Sequence, residues 1–240
     1  MQASNGPRRI YLDNAATTWP KNERAVEAAF DFVKQCGATA GRGAYTSSQV
    51  AERWLGDARS NLARLIGAEG GDSIAICNSG THALNACLQG VLRPGDRIVA
   101  TELEHNSVLR PLKALADSRQ VEVAFAPCDA SGRVILEEAS KLVDETTKLL
   151  CIGHASNVTG AVQDLTPFKE LAERHGAMLM VDASQTLGYL PINARESGID
   201  FLAAAGHKGL RAMAGTGFLY VRRELQSQIR PTQFGGTGRA

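Results

Sequence analysis

From Ser73 to Val221 the sequence alternates short β-rich runs with stretches of helical spacing, and this alternation constrains the fold more than any other feature. The β-rich runs are 73-SIAIC, 97-RIVAT, 121-VEVAFA, 148-KLLCIG, 177-AMLMVD, 200-DFLAA and 216-TGFLYV. The segments between the first six read as helices, as in 81-THALNACLQGVL and 167-PFKELAERHG. Such alternation predicts an α/β fold, a mostly parallel seven-stranded sheet with helices on both faces. The link from 200-DFLAA to 216-TGFLYV is glycine-rich and too short for a helical crossover, so the last strand is expected to pair antiparallel. Upstream, residues 21–35 and 49–67 place apolar residues at helical spacing, and the glycine-rich 36-CGATAGRGAYTSS between them reads as a loop.

A chain of 240 residues can bury a sizeable core. Its 26 basic and 25 acidic residues nearly balance, which argues against a nucleic acid or a membrane surface as partner. No apolar run approaches the length of a membrane span, and no apolar core follows the arginines of MQASNGPRR as it would in a secretory signal. The five cysteines (Cys36, Cys77, Cys87, Cys128 and Cys151) are scattered and form no CxxC pair, against a zinc site or a disulfide framework. These features point to a soluble, intracellular globular protein, expected in the cytoplasm.

In open α/β sheets ligands bind beyond the carboxyl ends of the strands, and five of those ends carry polar residues here. Asp182 ends the apolar run MLMVD; its carboxylate either faces a cation or ligand, or caps the segment that follows. Gln185, three residues on, serves the same ligand or completes a capping box. Lys208, in 206-GHKG, is an amine between apolar runs; burial there lowers its pKa and makes it a nucleophile for an aldehyde. Gly80 and Thr81 stand at a strand–turn–helix entry, which is an anion site or an ordinary helix cap. His105 either stacks on an aromatic ligand or plays a structural part, and Asn157 either donates to a ligand oxygen or makes a turn. A phosphate anchor, a stacking histidine, a carboxylate and an imine-forming lysine together describe one cofactor, pyridoxal 5'-phosphate.

The stretches 11-YLDNAATTWP, 104-EHNSVLRPL, 154-HASNVTGAVQDL, 181-VDASQTLGYLPIN, 206-GHKG and 234-FGGTG, in this order, span almost the whole chain. In them the sequence resembles class V aminotransferase-fold enzymes, most closely the cysteine desulfurase and selenocysteine lyase group. The resemblance implies the large domain of a fold type I pyridoxal-phosphate enzyme: an N-terminal segment over 1–20, the cofactor-binding domain over 21–225, and over 226–240 the start of a connection to a small domain. It implies that Lys208 forms the Schiff base and moves the substrate proton, that Asp182 pairs with the pyridine nitrogen, and that His105 stacks on the ring. Asn157 and Gln185 would contact the ring hydroxyl, and Gly80, Thr81 and His207 would hold the phosphate. The loop 235-GGTG would approach the phosphate of a second subunit, so a homodimer is expected, and a sulfur-acceptor protein is an implied partner.

The implied reaction converts L-cysteine to L-alanine and passes the sulfur on as a persulfide; aminotransfer, epimerisation, selenocysteine lysis and a non-catalytic cofactor-fold domain are the alternatives. The sequence departs from the family's pattern at Ala205, where a hydroxyl residue is usual, at His82, where a glutamate is common, and in the turn 209-GLRAMAGTG. Family members carry the nucleophilic cysteine and a carboxylate-binding arginine in the small domain. None of the five cysteines matches that position, so this chain alone is expected not to release sulfur at a useful rate. Cys36 reads as a loop thiol, and Arg42 is placed beside the substrate by the resemblance.

Overall fold

The computed structural model describes residues 10–41, 43–118 and 121–234. The chain opens with α1 (Glu23–Asp31), whose N-terminus is capped by the Asn22 side chain accepting from the Arg24 N–H. The helix widens into a π-helical turn over Phe32–Cys36 and stops at Gly37, which has a φ of 54°. After the loop comes α2 (Thr46–Leu65), which begins three residues earlier than the apolar spacing alone indicates.

The seven β-rich runs all become strands: β1 (Ile74–Cys77), β2 (Asp96–Thr101), β3 (Val121–Ala126), β4 (Thr147–Gly153), β5 (Met178–Asp182), β6 (Phe201–Ala205) and β7 (Gly217–Val221). They form one sheet in the order β1-β7-β6-β5-β4-β2-β3. The pairings of β2 with β3, β2 with β4, β4 with β5, and β5 with β6 are parallel, whereas β7 is antiparallel to both β6 and β1. The expected antiparallel last strand is therefore present.

Helices α3 (Gly80–Val91), α4 (Asn106–Asp117), α5 (Leu136–Leu142) and α6 (Thr166–His175) connect the first five strands. The link from β5 to β6 departs from expectation. Residues 183–200 form turns and no helix, because Gly188, Pro191 and Gly198 interrupt the backbone and Gly188 and Gly198 take left-handed φ of 90° and 62°. This crossover is parallel without a helix, and it leaves Ser184 and Gln185 on an irregular chain at the strand end.

Side chains alternate across the sheet with the strand period of two. In β4, Leu150 and Ile152 face one core with Phe168 and Leu171 of α6, while Leu149 and Cys151 face the other with Leu84 and Leu88 of α3 and Leu112 of α4. Both faces are covered, which explains the unbroken apolar runs of the central strands. Among the described residues no helix is long and apolar enough to cross a membrane, and no group of three metal-ligating side chains occurs.

Candidate active site

Strands β1, β2, β4, β5 and β6 all end at the same edge of the sheet, because β7 runs antiparallel to both of its neighbours. Beyond that edge lies a cavity of about 370 Å³. All eight residues singled out from the sequence line it: Gly80, Thr81, His105, Asn157, Asp182, Gln185, His207 and Lys208. Asp13, Ala15 and Ala16 line it from the N-terminal side. Arg42 and the 235-GGTG loop lie outside the described residues.

Asp182 is buried, and its Oδ1 accepts the Ser184 N–H at 2.9 Å. The carboxylate thus caps a turn as well as lining the cavity, and no helix follows for it to cap. Gln185 completes no capping box either; its Nε2 donates to the Ala15 carbonyl at 3.0 Å, tying the β5 end to the N-terminal segment. Lys208 is half-buried. Burial pulls its pKa below the ordinary lysine value, and the Asp182 carboxylate opposes that shift. An amine set between desolvation and a counter-charge keeps access to its neutral, nucleophilic form.

His105 is the N-cap of α4: its Nδ1 accepts the Ser107 N–H at 3.1 Å and lies 2.8 Å from Ser107 Oγ. Ser107 Oγ is in turn 2.7 Å from Thr81 Oγ1, so a two-hydroxyl chain couples the first turns of α3 and α4. The cap and the cavity wall are one and the same arrangement. Gly80, at the start of α3, allows close approach to β6: a Cβ there would come within 2.8 Å of Ser184 Oγ and 3.3 Å of the Ala205 Cβ. Asn157 sits in the exposed loop after β4.

Sequence reasoning marks the polar strand ends 104–107 and 182–185 but gives Glu104, Ser107 and Ser184 no role of their own, and it misses Thr17, Thr18 and Lys21. Ser107 carries no signal, since a serine in a helix's first turn is ordinary. Ser184 was hidden by the expectation of a helix after β5. Glu104 is fully enclosed: its Oε1 accepts from Thr101 Oγ1 at 2.8 Å and from the Gly153 N–H at 2.6 Å, while Oε2 has no hydrogen-bond partner. Burial, the dominant influence, pushes its pKa up to about 8, and the nearby Asp182 charge adds to the rise. Thr17, Thr18 and Lys21 hold the 206-GHKG turn from behind. Thr18 Oγ1 donates to the Lys208 carbonyl at 2.7 Å, and Lys21 Nζ donates to the His207 carbonyl at 2.8 Å.

Fold and site together define an α/β protein with a lysine and a buried carboxylate facing one strand-end cavity. The chain belongs to the aminotransferase class-V family, whose model matches residues 10–239. It is 37% identical over 228 residues to a probable cysteine desulfurase of Methanothermobacter thermautotrophicus, covering 95% of this chain and 56% of that protein. Among solved structures it is similar to the apo cysteine desulfurase of Thermococcus onnurineus, with a TM-score of 0.89 and 32% identity over 95% of this chain and 57% of the other. It is also similar to SspA in complex with cysteine, with a TM-score of 0.87 and 26% identity over 94% of this chain and 65% of that one. The chain thus spans little more than half the length of the curated relatives it matches.

Proposed function

We propose that the cavity binds pyridoxal 5'-phosphate and that the chain is the cofactor-binding part of a cysteine desulfurase, which converts L-cysteine to L-alanine and passes the sulfur on as a persulfide. The observation that carries this reading is the shared cavity of Lys208, whose proton affinity is weakened by burial, and the buried carboxylate of Asp182. The residues present fit the cofactor's chemistry: an amine for its aldehyde, a carboxylate for its ring nitrogen, and hydroxyl and imidazole groups for its phosphate. The likeness to proteins named cysteine desulfurase, and to one solved with cysteine, supports cysteine as substrate.

When bound, the cofactor supplies an aldehyde that condenses with amines and a ring that accepts electrons from the substrate's Cα. Lys208 Nζ would hold it and would then be the base placed to take the proton from the substrate's Cα. Asp182 would keep a proton on the ring nitrogen through a charge-assisted hydrogen bond. His105, its Nδ1 fixed by Ser107, would stack on the ring, and Asn157 and Gln185 would contact the ring hydroxyl. Thr81, His207 and the N-terminus of α3 at Gly80 would hold the phosphate.

No cysteine lines the cavity among the described residues. Burial raises the thiol pKa of Cys77, Cys87, Cys128 and Cys151, the opposite of what an attacking thiolate needs. The sulfur-accepting thiol is therefore assigned to a residue outside this cavity lining. Assembly as a homodimer in the cytoplasm, with a sulfur-acceptor protein as partner, completes the proposal.

The test is borohydride reduction of the chain mixed with pyridoxal phosphate, followed by peptide mapping. The label is expected on the Lys208 peptide, and label found chiefly on exposed lysines such as Lys141 would sink the assignment.

A further inference from the structure

Behind the cavity, the N-terminal segment meets the ring of His207 through a set of contacts that determines where that ring carries its proton. Thr17 Oγ1 lies 2.9 Å from His207 Nδ1 and 3.1 Å from the His207 carbonyl oxygen. Its single proton can serve only one of them. The carbonyl oxygen already accepts two donors, Lys21 Nζ at 2.8 Å and the Thr18 N–H at 3.1 Å, which together fill its two lone pairs. Lys21 Nζ also donates to Thr17 Oγ1, at 2.7 Å. An ammonium cannot accept, so the direction of that bond is fixed and the hydroxyl proton is left for Nδ1. His207 then carries its own proton on Nε2, the one ring nitrogen left for a ligand in the cavity it lines.

We propose that Lys21 and Thr17 are positioning residues that clamp His207 in its Nε2–H tautomer, so that the neutral ring donates a hydrogen bond to a phosphate group in the cavity. The inference rests on the reading of the cavity as a phosphate-binding site. A phosphate offers acceptors only, and a ring protonated on Nδ1 would turn a lone pair toward it. The clamp is needed because His207 does not readily take a second proton. Burial, then the Lys208 charge, then the Lys21 charge all pull its pKa below the ordinary histidine value. Of the other charged groups nearby, Asp13 and Asp182 line the same cavity, and the Arg211 guanidinium donates to the Pro20 carbonyl at 3.2 Å.

The experiment is a long-range proton–nitrogen correlation spectrum of the chain with ¹⁵N-labelled histidine, recorded without cofactor at mildly alkaline pH. His207 is assigned among the five histidines by the signal lost in His207→Asn. The wild-type ring is expected to show the Nε2–H pattern. Thr17→Val and Lys21→Met should each move it toward Nδ1–H and weaken binding of inorganic phosphate about tenfold, the scale of one hydrogen bond to a charged group. Thr17→Ser should restore both readouts. Lys21→Met should also raise the His207 pKa, because a repelling charge is gone. Unchanged signals from the remaining histidines would show that a variant is folded; if Thr17→Val fails that control, Lys21→Met decides.

An Nδ1–H ring in the wild type, or a tautomer indifferent to both substitutions, would overturn the clamp even if phosphate binds. An Nε2–H ring that responds to the variants but not to phosphate would overturn the phosphate-site reading instead, and with it the purpose assigned to the clamp.

Discussion

Lys208 lies between two opposed influences, and their balance sets its reactivity. Burial disfavours the ammonium, while the Asp182 carboxylate favours it. Replacing Asp182 by Asn removes the second influence and keeps the shape, so the Lys208 pKa is expected to fall further. The rate at which an amine-acylating reagent modifies Lys208 should then rise at neutral pH, as peptide mapping would read out; an unchanged rate would mean that the carboxylate does not reach the amine. Glu104 makes a second case at this scale. Its folded-state pKa of about 8 lies above the ordinary carboxyl value of 4.5, so between those values the folded chain holds a proton that the unfolded chain has lost. Stability therefore falls as pH rises through that window, by at most about 1.4 kcal/mol per pH unit, and levels off above it. Glu104→Gln keeps an acceptor for Thr101 and Gly153 and cannot ionise. Denaturant unfolding across the window should show a flatter profile for the variant, and parallel profiles would place the Glu104 carboxyl in a more polar setting than its enclosure indicates.

At the scale of elements, the site is assembled by strand ends and by two irregular segments that grip the 206-GHKG turn. Gly209 shows how tight that grip is: a Cβ there would run into the Leu187 carbonyl and come within 2.9 Å of the Tyr189 ring, on the connection between β5 and β6. Gly209→Ala must move one backbone against the other. A loss of about 1–3 kcal/mol in stability is expected, together with slower acylation of Lys208 as its turn is displaced. A variant with wild-type stability and labelling would show that the turn has slack. The same segments mark the limit of what the sequence discloses. Asp182, His105 and Lys208 were legible because a polar residue after an apolar β-run has few places to go in a parallel sheet except its carboxyl edge. Their partners were not legible. Ser107 and Lys21 act through contacts with residues distant in sequence or on a neighbouring element, and no periodicity encodes those contacts. The helix expected between β5 and β6 failed for a local reason, since Gly188, Pro191 and Gly198 override the apolar spacing of the segment.

At the scale of the whole molecule, the sheet lies between two separate cores, and the common direction of β1, β2, β4, β5 and β6 brings their five ends to one cavity. The seven-stranded, mostly parallel arrangement was readable because the β-runs are short, apolar and separated by segments of helical spacing, and only the short last link departs from that alternation. What the sequence did not disclose was the order of the strands, which depends on crossovers that look alike residue by residue. The two cores lie on opposite faces of the sheet: Phe168 of α6 is buried in one and Leu112 of α4 in the other. Phe168→Ala is expected to cost about 3–5 kcal/mol and Leu112→Ala about 2–5 kcal/mol, each through lost burial and a cavity left behind. With the two side chains in separate cores on opposite faces of the sheet, the two losses should add to within about 0.5 kcal/mol in the double variant, as measured by denaturant unfolding. Because α4 also carries His105 and Ser107 at its first turn, the Leu112 change should weaken inorganic phosphate binding more than the Phe168 change, which lies in the core on the opposite face of the sheet. Strong coupling between the two substitutions would mean that the sheet transmits strain across its thickness, and equal effects on phosphate binding would mean that the cavity depends on overall stability rather than on the seating of α4.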